Sequence, residues 1–235
     1  MKSSDSNIDP LSALAIKHNT DKWGSHFYTR YYHKHFSHLR DKEINVLEIG
    51  IGGYDDPIKG GESLRMWQDY FPNARIYGID IANKSAHDSD RIKTFQGSQI
   101  DFSFLDKVID YIGRVDIIID DGSHVNSHIV DSFKHLFPRL DREGIYVVED
   151  LQTSYWEQFG GSSFCLDRSR TAVNFFKRLV DGLNHKEFIN PRYRSNFFDE
   201  NITGISWYHG MVFVQKGPRQ QNLWVRIGSG KSPSW

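Results

Sequence analysis

A doubly wound α/β fold with a mostly parallel seven-stranded sheet follows from three features of the sequence. Short runs rich in Val, Ile and Tyr recur at 44–49 (INVLEI), 75–80 (RIYGID), 91–95, 115–120 (VDIIID) and 144–149 (GIYVVE). Near-continuous apolar runs of this kind suit strands buried on both faces of a parallel sheet. Helix-like stretches with apolar residues at 3.6-residue spacing lie between them. Two last β-like runs, split by His209-Gly210, read as an antiparallel hairpin that closes the sheet.

Taken in order, the first 43 residues are polar and helix-like, with a dense His/Tyr run from His26 to Phe36. They form a helical, aromatic N-terminal arm. After the strand at 44–49 come a helix at 63–70 and the strands at 75–80 and 91–95. A helix at 101–112 follows, apolar at Phe104, Leu105, Val108, Ile109 and Ile112. The strand at 115–120, a helix at 125–137 and the strand at 144–149 complete the alternation. Gly78, Pro138 and Gly144 punctuate it. Residues 151–201 then make a long connection with one amphipathic stretch, 171–183, and a connection of that length is expected to cover the substrate. The hairpin occupies 202–208 and 211–215, and 217–235 is a tail. The organisation expected is an arm (1–43), a catalytic domain (44–216, with its insertion at 151–201) and the tail.

The chain has 235 residues, the length of one domain, and 38% hydrophobic residues supply a sizeable core. Twenty-nine basic against 30 acidic residues give a net charge of −1, which argues against a dedicated nucleic-acid binder. The single cysteine, Cys165, permits no internal disulfide and points to a reducing compartment. There is no apolar leader near Met1 and no apolar run long enough to span a membrane, so a cytoplasmic location is expected. The neutral total hides segregation. Residues 116–150 hold eight carboxylates against three Lys/Arg, and residues 168–194 hold seven Lys/Arg against two carboxylates. The acidic stretch is a candidate metal holder. The basic stretch either faces an anionic ligand or is a solvated helix face.

Three motifs carry chemistry. The loop Glu48-Ile49-Gly50-Ile51-Gly52-Gly53-Tyr54 ends the first strand, where glycines let backbone N–H groups approach a ligand. Asp80 ends the second strand, where a carboxylate can accept hydrogen bonds from two ribose hydroxyls. A dinucleotide fingerprint would need glycine at position 55, which is Asp55. Asp120-Asp121-Gly122-Ser123-His124 and Glu149-Asp150 end two strands that should be adjacent. Asp121, Glu149 and Asp150 offer an all-oxygen set for a hard cation, Mg²⁺ or else Mn²⁺ or Ca²⁺. The plain alternative is that Asp120 or Asp121 caps the following helix. His124 could take a substrate proton, or serve as a partner for a carboxylate.

E-x-G-x-G followed by an acidic end to the second strand resembles the class I S-adenosylmethionine methyltransferases. The runs LEIGIGGYDDP, GGESLRMW, IYGIDIANKS, FQGSQ, IIDDGSH and YVVEDLQTSYW, over residues 47–156, resemble a narrower group. These are the Mg-dependent sugar O-methyltransferases of macrolide biosynthesis, the mycinamicin VI 2''-O-methyltransferase family. The resemblance implies a Rossmann-like fold with S-adenosyl-L-methionine as cofactor and Mg²⁺ on Asp121, Glu149 and Asp150. It places the general base on His124, beside Asp121. Cofactor contacts fall on Glu48, Gly50, Gly52, Tyr54, Ser63, Asp80, Gly97, Ser98 and Asp120. The family's extra N-terminal domain has no counterpart in the roughly 43 residues before the first strand, so a polysaccharide sugar or another glycosylated natural product is as apt an acceptor as a macrolide. A homo-oligomer is expected from the family and from aromatics exposed on the arm. The competing readings are a catechol-type O-methyltransferase and a non-catalytic module that binds cofactor or glycan.

Overall fold

The structure, a computed structural model, describes residues 8–167 and 170–218. The start of the chain, Arg168 of the basic stretch and the tail beyond residue 218 lie outside the described residues. Seven strands form one sheet: β1 (Asn45–Ile49), β2 (Arg75–Asp80), β3 (Ile92–Gln96), β4 (Ile117–Asp120), β5 (Ile145–Val148), β6 (Ile202–Tyr208) and β7 (Met211–Lys216). Their order is β3-β2-β1-β4-β5-β7-β6. β1 to β5 pair in parallel, while β7 runs antiparallel to both β5 and β6. The strand order reverses between β1 and β4, whose registered ends are Ile49 and Asp120. Crevices that bind ligands form at the carboxyl ends of strands at such a reversal.

Helices cover both faces. On one side lie α1 (Pro10–His18), α2 (Thr29–Phe36) and α3 (Glu62–Tyr70), packed through Leu11, Tyr32, Phe36 and Trp67. On the other lie α4 (Phe102–Ile112), α5 (Asn126–Leu136) and α6 (Ala172–Leu183), packed through Leu105, Phe133 and Phe176. α7 (Phe197–Asn201) is a short turn before β6. The helix ends follow local chemistry. Asp9 accepts from the N–H groups of Leu11 and Ser12 at 3.0 Å, with Pro10 at the first position. Asp101 caps α4 through Phe104 N at 3.0 Å.

Two expectations change. Most of the aromatic arm is turned inward, because Tyr28, Tyr32 and Phe36 are buried at a spacing of four residues, while Phe27 is exposed. Those three buried rings close the core over β1, β5 and β7. The insertion also divides. α6 buries Val173, Phe176 and Leu179 against the sheet, while Lys177 and Arg178 lie on its exposed side. That part of the basic stretch is a solvated helix face. The segment before α6 is tied through Asn126 to the end of the loop that carries His124. No helix among the described residues is long and apolar enough to cross a membrane.

At Gly50 the end of β1 approaches the end of β4 closely. A Cβ there would lie 2.1 Å from the carbonyl oxygen of Asp121, and its φ is +89°. Gly50→Ala is therefore expected to cost on the order of 3 kcal/mol and to lower the melting temperature by roughly 5–10 °C. Thermal unfolding followed by circular dichroism checks this.

Candidate active site

The glycine loop and Asp80 are built together. Gly50 N–H donates to Ile79 O at 2.8 Å, and Ile51 N–H donates to Asp80 Oδ2 at 2.9 Å. Asp80 Oδ1 accepts from Ala82 N–H at 2.9 Å. Each oxygen therefore keeps a lone pair for a ligand hydroxyl. Gly52 and Gly53 have φ of +79° and +75°, and Tyr54 stands in solvent at the loop tip, 94% exposed. Gly97 N–H donates to Asp80 O at 2.8 Å, and a Cβ on Gly97 would strike the Phe104 ring at 2.5 Å. Gly50, Gly52, Tyr54, Asp80, Gly97 and Ser98 thus ring the carboxyl ends of β1 to β3, while Asp120, at the end of β4, is 1% exposed and its oxygens accept from Gln99 and Tyr146. Glu48 differs from half-buried Ser63. Glu48 has no exposed surface, and its Oε2 accepts from Ser63 Oγ at 2.8 Å. A carboxylate so enclosed meets no ligand unless the structure moves. The pair braces the loop from behind.

The acidic edge is split into two groupings that share Asp121. In the outer one, ligand atoms of Asp121, His124 and Asp150 lie within 4.8 Å of one another. In the inner one, those of Glu48, Asp121 and Glu149 do. Glu149 therefore faces inward while Asp150 faces the crevice. His124 and Asp150 both hold left-handed backbone, at φ +57° and +53°. Such non-glycine positions gather at functional sites. His124 Nε2 is 3.7 Å from Asp150 Oδ2.

The inner grouping already encloses a cation. Lys22, 1% exposed, places Nζ 2.6 Å from Glu149 Oε1, 2.8 Å from Asp121 Oδ2 and 3.3 Å from Glu48 Oε1. Tyr32 donates its hydroxyl to Glu149 Oε1, and Tyr28 donates to Asp150 Oδ1 at 2.8 Å. His26 stacks on Tyr28, with ring centroids 4.8 Å apart. Sequence reading named none of these four for the carboxylate cluster. The available signal was the period of Tyr28, Tyr32 and Phe36, which marks a buried helix face that carries two hydroxyls inward.

One ammonium among three carboxylates leaves negative charge uncompensated. Burial pushes the Lys22 ammonium down, but Asp121, Glu149 and Glu48 outweigh it and hold its pKa well above the ordinary lysine value. Burial, then repulsion from Asp121, raises the Glu149 carboxyl. Burial raises Asp121 as well, against the pull of Lys22 and His124. Asp150 goes the other way. Burial would raise it, but hydrogen bonds from Gln152 and Tyr28 and the histidines beside it bring it below the ordinary carboxylate range. An ionised outer carboxylate beside strained, electron-rich partners is a donor set that a divalent cation fits.

Gln99 fixes the loop that carries His124. It donates to Asp120 Oδ1 at 3.2 Å and accepts from Ser123 N–H at 2.7 Å. Asn126, buried at the start of α5, donates to Thr153 O and Phe159 O at 3.2 and 2.9 Å. This pins the wall formed by Tyr155, Trp156 and Phe159 to the same loop. Tyr155 and Trp156 are exposed, and Tyr28 is core.

Burial pushes Asp120 up to about 7. A carboxyl raised from 3.8 holds more protons in the folded than in the unfolded chain between those values. Its stabilisation is complete below about pH 4 and is lost as pH rises through 7, roughly 4 kcal/mol in all. Asp120→Asn keeps the acceptor for Gln99 and is expected to flatten the fall in urea-unfolding free energy between pH 5 and 7.5.

No protein-family model matches the sequence. The chain is 47% identical over 211 residues to the 8-demethyl-8-alpha-L-rhamnosyl tetracenomycin-C 2'-O-methyltransferase of Streptomyces olivaceus, covering 89% of this chain and 55% of that protein. It is 43% identical over 227 residues to the mycinamicin VI 2''-O-methyltransferase of Micromonospora griseorubida, covering 96% and 55%. The structure superposes on that of the MycE methyltransferase of the mycinamycin pathway with a TM-score of 0.87 at 41% identity, covering 95% of this chain and 58% of that one. The chain is a homologue of the sugar O-methyltransferases. Its fold is that of a methyltransferase, and it spans just over half the length of these relatives. MycE was solved with Mg and SAH, and also with Mg, SAH and mycinamycin VI.

Proposed function

We propose that the chain transfers a methyl group from S-adenosyl-L-methionine to a sugar hydroxyl of a glycosylated small molecule, with a divalent cation at the acidic edge. The observation that carries this reading is the convergence of Asp121, His124 and Asp150 at neighbouring strand ends beside the glycine loop. The homologues, named for methylation of rhamnosyl and other sugar hydroxyls, support it.

In this reading Asp121 and Asp150 hold Mg²⁺ from the crevice side and Glu149 from within, with Mn²⁺ or Ca²⁺ suited to the same carboxylates. Gly50, Gly52, Tyr54, Ser63, Asp80, Gly97 and Ser98 form the cofactor cradle, and the enclosed Glu48 and Asp120 support it. Bound Mg²⁺ supplies a Lewis acid that acidifies a neighbouring hydroxyl, and bound S-adenosyl-L-methionine supplies the methyl group. His124 takes the hydroxyl proton at Nε2. Asp150, 3.7 Å away, stabilises the imidazolium that results. Tyr155 and Trp156 present ring faces to the acceptor, and the strained backbone of His124 fixes where its ring stands.

The test is an acceptor panel with labelled S-adenosyl-L-methionine, comparing rhamnosylated and other glycosylated polyketides with their aglycones and with catechols. Label on the glycosides alone is expected. Label on catechols alone would replace the sugar reading with a catechol-type one.

A further inference from the structure

We propose that Lys22 is a positioning residue whose ammonium permanently occupies the inner of two cation positions at the acidic edge, and so keeps the edge a site for one exchangeable ion. The claim rests on the proposed metal reading for its role in catalysis, but on contacts alone for its geometry. Three carboxylates, from β1, from the end of β4 and from the end of β5, bring ligand atoms within 4.8 Å of one another. Three carboxylates at that spacing are a cation-binding arrangement in their own right. Here the space is filled from the arm by Nζ of Lys22, at 2.6, 2.8 and 3.3 Å.

The fit is incomplete in an informative way. Glu48 Oε1 has no hydrogen-bond partner although it is buried, so the ammonium satisfies two carboxylates and only ion-pairs with the third. A lysine has three protons and fixed reach, whereas a free divalent ion would draw all three oxygens in. What the lysine gains is direction. By engaging Asp121 Oδ2 and Glu149 Oε1 it fixes one oxygen of each carboxylate and leaves the second oxygen of each to other partners. It also links Glu48, which braces the cofactor loop through Ser63, to the residues proposed to hold the metal.

The experiment counts Mn²⁺ ions bound per chain, by calorimetry and by the loss of the free-ion paramagnetic resonance signal, on the whole chain without acceptor. Lys22→Ala is expected to bind one ion more than the wild type. Lys22→Ala combined with Glu48→Gln, which keeps the Ser63 hydrogen bond, is expected to lose that extra ion. An unchanged count in Lys22→Ala overturns the proposal, and so does an extra ion that persists in the double variant. The wild-type count is a separate reading. A count of zero would remove the metal from the proposed function, while the difference between variants would still decide the role of Lys22. Should Lys22→Ala be unfolded in metal-free buffer, circular dichroism during Mn²⁺ titration takes the place of the count. Refolding supports the inner position, and a chain that stays unfolded in excess Mn²⁺ overturns it.

Discussion

Replacing His124 by alanine is expected to lower the rate of methyl transfer by about 10²- to 10⁴-fold, the range a positioned general base contributes. Cofactor affinity should stay within about threefold, because the partners of the ring, Asp150 and Phe159, lie outside the proposed cofactor cradle. The Nε2 of His124 is 3.7 Å from Asp150 Oδ2 and its ring neighbour is Phe159. The change also relieves strain at a φ of +57° only in part, since alanine disfavours that region as well, so stability should move little. The rate should be read alongside calorimetry with S-adenosylhomocysteine. A variant that binds the cofactor normally and turns over like the wild type would remove His124 from proton transfer.

The second large effect belongs to Asp121, the residue common to both groupings. Asp121→Asn keeps the shape but removes a charge, and is expected to weaken Mn²⁺ binding by roughly 100-fold or more, with methyl transfer falling in parallel. Stability should respond in the opposite sense. Burial raises the Asp121 carboxyl, so at neutral pH its charge costs the folded state free energy. In chelator the variant should melt no lower than the wild type. Loss of the ion together with retained or improved stability is the signature of a residue kept for function rather than for folding. A drop of several degrees in chelator would mean that the Lys22 contact matters more to folding than the relieved repulsion.

Much of this was legible in the sequence, for physical reasons. The parallel strands announce themselves because burial on both faces leaves almost no polar positions, as in IIID at β4 and IYVV at β5. The paired carboxylates at 120–121 and 149–150 were legible because an apolar strand that ends in two acids has no packing reason to do so. What escaped was everything that joins across the chain. Lys22 reaches Asp121 over a separation of 99 residues and Glu149 over 127. Before folding it is one of three lysines that directly follow an aspartate, with Lys42 and Lys107. Glu48 drew a cofactor role from its place next to the glycines, yet its carboxylate is enclosed by Ser63 and Lys22. Gly50 was assigned to ligand approach, and its lack of a side chain also makes room for the Asp121 carbonyl. The basic stretch looked like a cover for an anion because charge alone does not say which side of a helix it lies on. The apolar face of α6 settles that for Lys177 and Arg178.

The most direct measurement is labelled methyl transfer to a rhamnosylated polyketide, run in chelator and again after Mg²⁺ is restored. With Asp121, His124 and Asp150 acting through a bound ion, transfer should fall to background in chelator and return with Mg²⁺. Full transfer in chelator would contradict a metal-dependent acidic edge.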